Sequence, residues 1–377
     1  MAKAKAYDVV VVGGGVIGCA IAHRLAREKL RVAVLEQRQT GSGASQASAG
    51  MLAPLSDSLG HAALVSLGLE SFRLYPAFLK QAEEDGSFSA ELMASGILRV
   101  ALEEGDEARL RTQIPWAKKR GLRVEWLGPM QAQSVEPLLS PAIRGASYSL
   151  DEPQLNPVRL VETLRRAAVA RGATVREYAA VVGVDRRGSR VTAVRTASET
   201  IACGTVVIAS GAWAGRASEW LGVEVPVRPV RGQVAYVSKI SPPLRHTVMH
   251  GEAYAVPKGD GTTLVGTTLE PDAGFAQETT VQGVAGLLTG IQRLAPSIGG
   301  ASIAQTRAGL RPGTKDGLPI LGPAPGVGNA IMAAGHYRSG ILLAAVTAKM
   351  IGDCIVKGAG AVDFGECAAS RLKRRMR

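Results

Sequence analysis

Aromatic residues are scarce in this 377-residue chain: Phe, Trp and Tyr together make up 4% of it. So few flat rings argue against a surface that stacks the bases of single-stranded nucleic acid. Cysteine is thin as well. The four, Cys19, Cys203, Cys354 and Cys367, form no CxxC pair, so neither a zinc knuckle nor a redox dithiol is indicated. Scattered thiols in a long chain suit a reducing cytoplasm. Of the five histidines, only His246 and His250 stand four apart. They follow Pro242 and Pro243 and lack an HExxH context, so no metal site is expected. No window offers ~20 uninterrupted apolar residues, which excludes a membrane-spanning helix. The absence of short-period repeats excludes solenoids and propellers. Lys3 and Lys5 ahead of the apolar residues 9–12 imitate a signal peptide. That run breaks at three consecutive glycines, so it reads instead as a buried strand.

What is abundant is glycine and positive charge. The net charge is +12. Most of it is spread along the chain, which suits a basic surface rather than a nucleic-acid partner. The dense cluster, Arg371, Lys373, Arg374, Arg375 and Arg377, reads as a solvated tail over 369–377. Length alone predicts two domains, since one core rarely grows past ~250–300 residues.

Asp8 and the four valines after it predict a strand buried on both faces. Gly13, Gly15 and Gly18 follow in a GxGxxG arrangement. Ile17, Ile21 and Leu25 then recur at helical spacing. Residues 31–35 predict a second strand, closed by Glu36. Together this is a βαβ unit with a dinucleotide fingerprint. Gly13 permits the tight turn, Gly15 the approach of a pyrophosphate, and Gly18 close helix packing. The helix N-terminus attracts the phosphates. Glu36 can accept from ribose hydroxyls, and an acid there disfavours a 2′-phosphate. Further strands of the buried type are expected at 205–211 and 330–335. Helices are expected near 60–84, 157–171, 279–294 and 340–356, with antiparallel patterns over 226–270. The pattern predicts a discontinuous α/β domain, Rossmann-like, over 1–88, 149–225 and 311–368. An α+β domain on an antiparallel sheet is inserted at 89–148 and 226–310.

The fingerprint does not separate NAD from FAD. Three segments do so by resemblance. They are residues 42–54 (SGASQASAGMLAP), 309–319 (GLRPGTKDGLP) and 335–344 (GHYRSGILLA). They resemble the second cofactor loop and the C-terminal signatures of the D-amino-acid oxidase superfamily, and the chain is most similar to its glycine oxidase branch. The resemblance runs over essentially the whole chain. It implies non-covalent FAD, since no cysteine lies in the Arg311 segment. It implies that Val16, Ile17, Glu36 and Gln37 line the adenosine side. Ala44, Ser45, Ala49, Gly50 and Met51 would follow the pyrophosphate and flavin edge, and Val181 would pack near the adenine. His336, Tyr337, Arg338, Ser339, Gly340, Ile341 and Leu342 would wrap the flavin. Arg311 and Arg338 would hold a substrate carboxylate, and Tyr254 would close the pocket. Where some members carry a histidine two residues before that tyrosine, this chain has Glu252.

The implied activity is oxidation of glycine, sarcosine or small D-amino acids, with molecular oxygen as acceptor and hydrogen peroxide as product. A place in thiamine synthesis and a homotetramer are implied in the same way. The residue chemistry agrees. An arginine offers a fixed fork that matches a carboxylate. Arg311 and Arg338 both sit in glycine-bounded, sparsely charged segments. Three rival readings stand beside this one: a D-amino-acid dehydrogenase or sarcosine oxidase, a tRNA-modifying oxidase, and a dinucleotide-binding protein without catalysis.

Overall fold

The computed structural model describes residues 6–55 and 61–373. Among them are sixteen strands: β1 (Tyr7–Val12), β2 (Val32–Leu35), β3 (Ile97–Ala101), β4 (Val124–Leu127), β5 (Gly145–Ser149), β6 (Thr174–Arg176), β7 (Val181–Arg187), β8 (Arg190–Thr196), β9 (Thr200–Ile208), β10 (Val227–Ser238), β11 (Thr247–His250), β12 (Ala253–Pro257), β13 (Thr263–Gly266), β14 (Ser302–Thr314), β15 (Ile320–Pro323) and β16 (Ala330–Ala334). The helices are α1 (Val16–Arg27), α2 (Ala62–Gly86), α3 (Glu104–Lys118), α4 (Pro129–Val135), α5 (Pro157–Ala170), α6 (Ala217–Leu221), α7 (Val281–Gln292) and α8 (Ala344–Lys357).

The first sheet runs β15-β16-β9-β1-β2-β6, with the β7–β8 hairpin joined to β9. β16, β9, β1, β2 and β6 are parallel, and β15 is an antiparallel edge. The valines of β1 explain why it lies at the centre. Val9 and Val11 turn toward α1, α5 and α8, while Val10 and Val12 pack with Ile208, Met332 and Leu221 on the other side. A strand apolar on both faces has nowhere else to go. The site lies on the side where the parallel strands end.

The second sheet runs β14-β10-β13-β12-β11-β3-β5-β4. Its alternation separates two surfaces. Ala255 and Val265 pack against Leu287 and Ile291 of α7. Tyr254, Val256 and Leu264 turn the other way and meet Ala49 of the first domain. The cofactor side of the molecule is therefore the seam between two sheets. The α/β fold with an inserted sheet domain agrees with the sequence reading.

Four expectations need correction. The inserted sheet is not wholly antiparallel, since β3 and β11 pair in parallel. The division at 310/311 falls inside β14, which stays paired to β10 as far as Thr314; Arg311 thus projects from the second sheet. The strand expected at 205–211 is β9, which starts earlier and stops at Ile208. A 3₁₀ turn over Gly211–Arg216 takes the chain onward.

The fourth concerns the tail. Residues 369–373 are docked, although Arg371 and Lys373 stay exposed to solvent. Arg371 pairs with Asp316 at 3.2 Å and donates to the carbonyls of Leu318 and Pro319. Leu372 is buried, and the Glu224 N–H donates to the Lys373 carbonyl. Arg374, Arg375 and Arg377 lie outside the described residues, as do Lys3 and Lys5.

Candidate functional site

The parallel strands β1, β2, β9 and β16 end along one edge, where an open α/β sheet binds ligands. One continuous cleft opens there and is walled on its far side by the second sheet. Of the residues expected at a cofactor, Gly13, Gly15, Val16, Ile17, Glu36, Gln37, Ala44, Ser45, Ala49, Gly50, Met51, Val181, His336, Tyr337, Arg338, Gly340, Ile341 and Leu342 line it, as do Arg311 and Tyr254. Gly18 and Ser339 do not. A Cβ on Gly18 would stand 1.9 Å from the Gly13 carbonyl oxygen, so Gly18 lies under the turn and serves its packing. Ser339 is buried in a turn of its own, its N–H donating to the His336 carbonyl and its carbonyl accepting from Leu343.

The glycine turn fits a dinucleotide. Gly13 has φ +108, and a Cβ there would meet the Ala209 carbonyl oxygen at 2.5 Å. Only glycine allows this turn between β1 and α1. The residue capping α1 is Gly15, which has no side chain to cover the helix N-terminus. Val16 N–H donates to Ser45 Oγ at 3.2 Å, so the second cofactor loop sits directly over that positive end. Glu36 closes β2 with its carboxylate drawn into the turn. Oε2 accepts from Gly14 N–H at 2.8 Å and Oε1 from Arg38 N–H at 2.9 Å. Each oxygen keeps a lone pair for a ribose hydroxyl. The open helix end, the side-chain-free turn and the acid together match the ADP half of FAD.

The adenosine end holds residues that the sequence reading did not name. Trp213 lines the cleft. Phe275 packs its ring 5.6 Å from that of Trp213, and the Arg38 guanidinium lies 5.6 Å from the same indole. Arg38 Nη1 also donates to Gln277 Oε1 at 2.6 Å. The segment between β13 and α7 thus reaches across the cleft and is held on the first domain by one ring and one hydrogen bond. Nothing in its composition signals this, because the partners are more than 50 residues apart in the chain.

At the other end, Arg311 and Arg338 differ in setting. Arg311 lies against Gly232, where a Cβ would meet Nη1 at 2.0 Å. Its Nη1 donates to the Thr268 carbonyl at 3.2 Å and its Nη2 to Thr267 Oγ1 at 2.6 Å. Arg338 stands at the mouth and forms an ion pair with Glu252. The ring of Tyr254 packs on Gly266, and its side chain is buried in the cleft wall. Tyr337 has φ +47, a left-handed conformation that costs a non-glycine residue energy. His336 is buried, with Nε2 3.0 Å from Thr347 Oγ1. Burial pulls its pKa down to about 4, so the imidazole is neutral.

The helix after this loop begins later than 340. α8 starts at Ala344, because residues 340–343 form a turn closed by Leu343 N–H donating to the Ser339 carbonyl. The positive end of α8 is therefore approached through that turn rather than through Gly340 itself.

Lys258 was also unforeseen. Its ammonium is buried and donates to Ala49 O, Gln154 Oε1 and Leu155 O at 2.6, 2.8 and 3.3 Å. All three of its protons are used. The lysine pins the 49–51 wall of the cleft to β12. Burial pulls its pKa down to about 7, and the Asp260 charge opposes that shift. The one available signal was the turn after Pro257, which a sequence alone assigns to solvent.

The cysteines and the histidines other than His336 stand outside the lining of the cleft. The four cysteines are free and buried, and none lines the cleft among the described residues. Burial pushes Cys19 up to about 12 and Cys203 to about 11. His246 pairs with buried Glu136, and His250 hydrogen-bonds to the Val100 carbonyl. Among the described residues no cluster could hold a metal ion, and no helix is long and apolar enough to cross a membrane.

Comparison with known proteins gives a consistent answer. The profile of the family DAO, FAD dependent oxidoreductase, matches residues 8–354. A glycine oxidase of Geobacillus kaustophilus is 36% identical over 97% of this chain and 97% of its own. The hydrogen cyanide synthase subunit HcnC of Pseudomonas aeruginosa is 31% identical over 98% of this chain and 97% of its own. A bifunctional protein ThiO/ThiG of Synechocystis sp. is 33% identical over 93% of this chain and 51% of its own. The crystal structure of the Geobacillus kaustophilus glycine oxidase superposes with a TM-score of 0.92 over 97% of this chain and 99% of the other.

Proposed function

This chain belongs to the DAO family of FAD-dependent oxidoreductases and is an FAD-dependent amine oxidase, and from that premise we propose that it oxidises glycine, sarcosine and small D-amino acids. The products are hydrogen peroxide and an imine, which hydrolyses to an oxo acid and ammonia, or methylamine where the substrate is sarcosine. The observation that carries this reading is Arg311. It is a guanidinium in the cleft wall, held from behind by two acceptors, with its remaining N–H groups free to grip a carboxylate in a fork.

Bound FAD supplies the acceptor for the hydride of the substrate α-carbon, and oxygen restores it. The protein's own contribution is placement. Gly13, Gly15, Val16, Ile17, Ser45 and Glu36 would hold the ADP half. The 49–51 wall, pinned by Lys258, and the 336–342 turn hold the ring end. Arg311 fixes the carboxylate, and Tyr254 with Met51 limits the room beside it. Small substrates fit such a wall better than bulky ones. Neutral His336 adds no further positive charge to the two arginines at the ring end.

Non-covalent attachment of FAD belongs to the same proposal, supported by the absence of a cysteine among the described walls of the cleft. A cytoplasmic setting, a homotetramer and a role in supplying the imine for thiamine synthesis belong to the same proposal. The last is supported by likeness to the ThiO part of the fused relative.

The test is a substrate panel on purified protein, with oxygen consumption and peroxide measured together. Glycine, sarcosine and D-alanine should yield stoichiometric peroxide, and L-alanine should not. Turnover with a quinone dye and no peroxide would identify a dehydrogenase instead.

A further inference from the structure

Arg311 is useful only if its fork points into the cleft. Arg311 is half-buried, and an arginine side chain has four rotatable bonds and many ways to miss. We propose that Thr267 is the residue that sets it, a positioning residue for the substrate carboxylate. This proposal rests on the carboxylate-binding role of Arg311 given above.

The hydroxyl of Thr267 has one proton and two lone pairs. Its proton is directed at the main-chain carbonyls of Gln233 and Thr268, at 3.2 and 3.3 Å. That leaves its lone pairs facing Arg311, whose Nη2 lies 2.6 Å away. The hydroxyl therefore cannot rotate to donate toward the guanidinium without losing its own acceptors. The neighbouring carbonyl of Thr268 takes Arg311 Nη1. Both terminal nitrogens are thus anchored on one side, and the opposite side of the fork faces the cleft.

The anchor is itself fixed. Gln233 is fully buried. Its N–H donates to Thr268 Oγ1 at 2.9 Å, and its carbonyl accepts from Thr268 N–H. Its side-chain amide donates to Glu270 Oε1 and Thr280 Oγ1 and accepts from Thr280 N–H. Every polar group of Gln233 is engaged, and Glu270 is held in turn by Arg231. Such a fully satisfied network is rigid. Gly232 completes the seat by leaving the backbone bare beneath the guanidinium.

The experiment uses FAD-loaded protein with glycine as the varied substrate. Thr267→Val keeps the shape and removes the acceptor; Thr267→Ser keeps the acceptor. The valine variant should raise KM about tenfold with kcat within about twofold, and the serine variant should stay near the parent. In an Arg311→Lys background, Thr267→Val should add no further loss in kcat/KM, because its effect runs through the guanidinium. A KM unchanged by Thr267→Val while Arg311→Ala raises it would overturn the proposal alone. Additive losses would overturn it too. A KM indifferent to Arg311→Ala would instead overturn the reading beneath it. Should Thr267→Val not accumulate, Thr267→Ala serves in its place. Failure of both to yield FAD-bound protein would mark Thr267 as a folding residue and refute the proposal.

Discussion

Arg338 Nη1 lies 2.6 and 2.9 Å from the two carboxylate oxygens of Glu252, so the mouth of the cleft carries its own carboxylate on an arginine expected to meet the substrate. A substrate carboxylate that approaches Arg338 must compete with Glu252. Both side chains are partly solvated, which keeps the pair weak, at roughly 0–1 kcal/mol. Glu252→Gln should therefore lower KM for glycine by about two- to fivefold, with the effect shrinking as salt rises. Steady-state kinetics at two ionic strengths checks this; a raised KM would mean that Glu252 orients Arg338 rather than competes for it.

The strap across the adenosine end predicts a change in cofactor retention. Phe275→Ala removes the ring that packs on Trp213. The loss of an aromatic pair, about 0.5–1.5 kcal/mol, should weaken FAD binding several-fold. Catalysis at saturating FAD should be untouched. Fluorescence titration of the apoprotein measures the first, and turnover with excess FAD the second.

His336 fixes an acid limb. Its pKa falls from 6.5 in the unfolded chain to about 4 in the fold. Between these values the unfolded state binds more protons, so stability rises with pH from about 4 to 6.5 and is then constant. The full effect is on the order of 3 kcal/mol. His336→Asn should flatten the dependence of Tm on pH in that window and leave its course above 6.5 unchanged.

Lys258 acts in the alkaline range. Its pKa of about 7 in the fold lies below the ordinary 10.5. Its contribution to stability therefore rises as pH climbs from about 7 toward 10.5. Lys258→Met should abolish that rise. It also leaves three buried acceptors without a donor, at about 1–3 kcal/mol each before relaxation. The variant should accordingly melt earlier at pH 7 and lose FAD more readily.

How much of this could be read from the chain alone varies with the range of the interaction. The βαβ unit was legible because its causes are local. Four valines, three glycines and one acid within 30 residues leave little choice of structure. The 42–54 and 335–344 segments were legible through their resemblance to a family, and they do line the same cleft. Thr267, Gln233 and Lys258 were not legible. Each matters through partners 34 to 209 residues away, brought together by the pairing of β10 with β13 and by the seam between sheets. The late start of α8 escaped because Gly340, Ile341, Leu342 and Leu343 continue the apolar spacing of a helix while forming a turn. The docked end at Arg371 escaped because a basic cluster reads as solvated until its acceptors at 316–319 are seen.

The central claim is that bound FAD is reduced by a small amino acid held through Arg311. Anaerobic mixing with glycine, followed at the flavin absorbance band, tests it in one step. The parent protein should bleach, and Arg311→Ala with the same FAD content should bleach only at glycine concentrations higher by about a hundredfold. A flavin that stays oxidised in the parent, or an Arg311→Ala protein that bleaches at the same concentrations, would contradict the account.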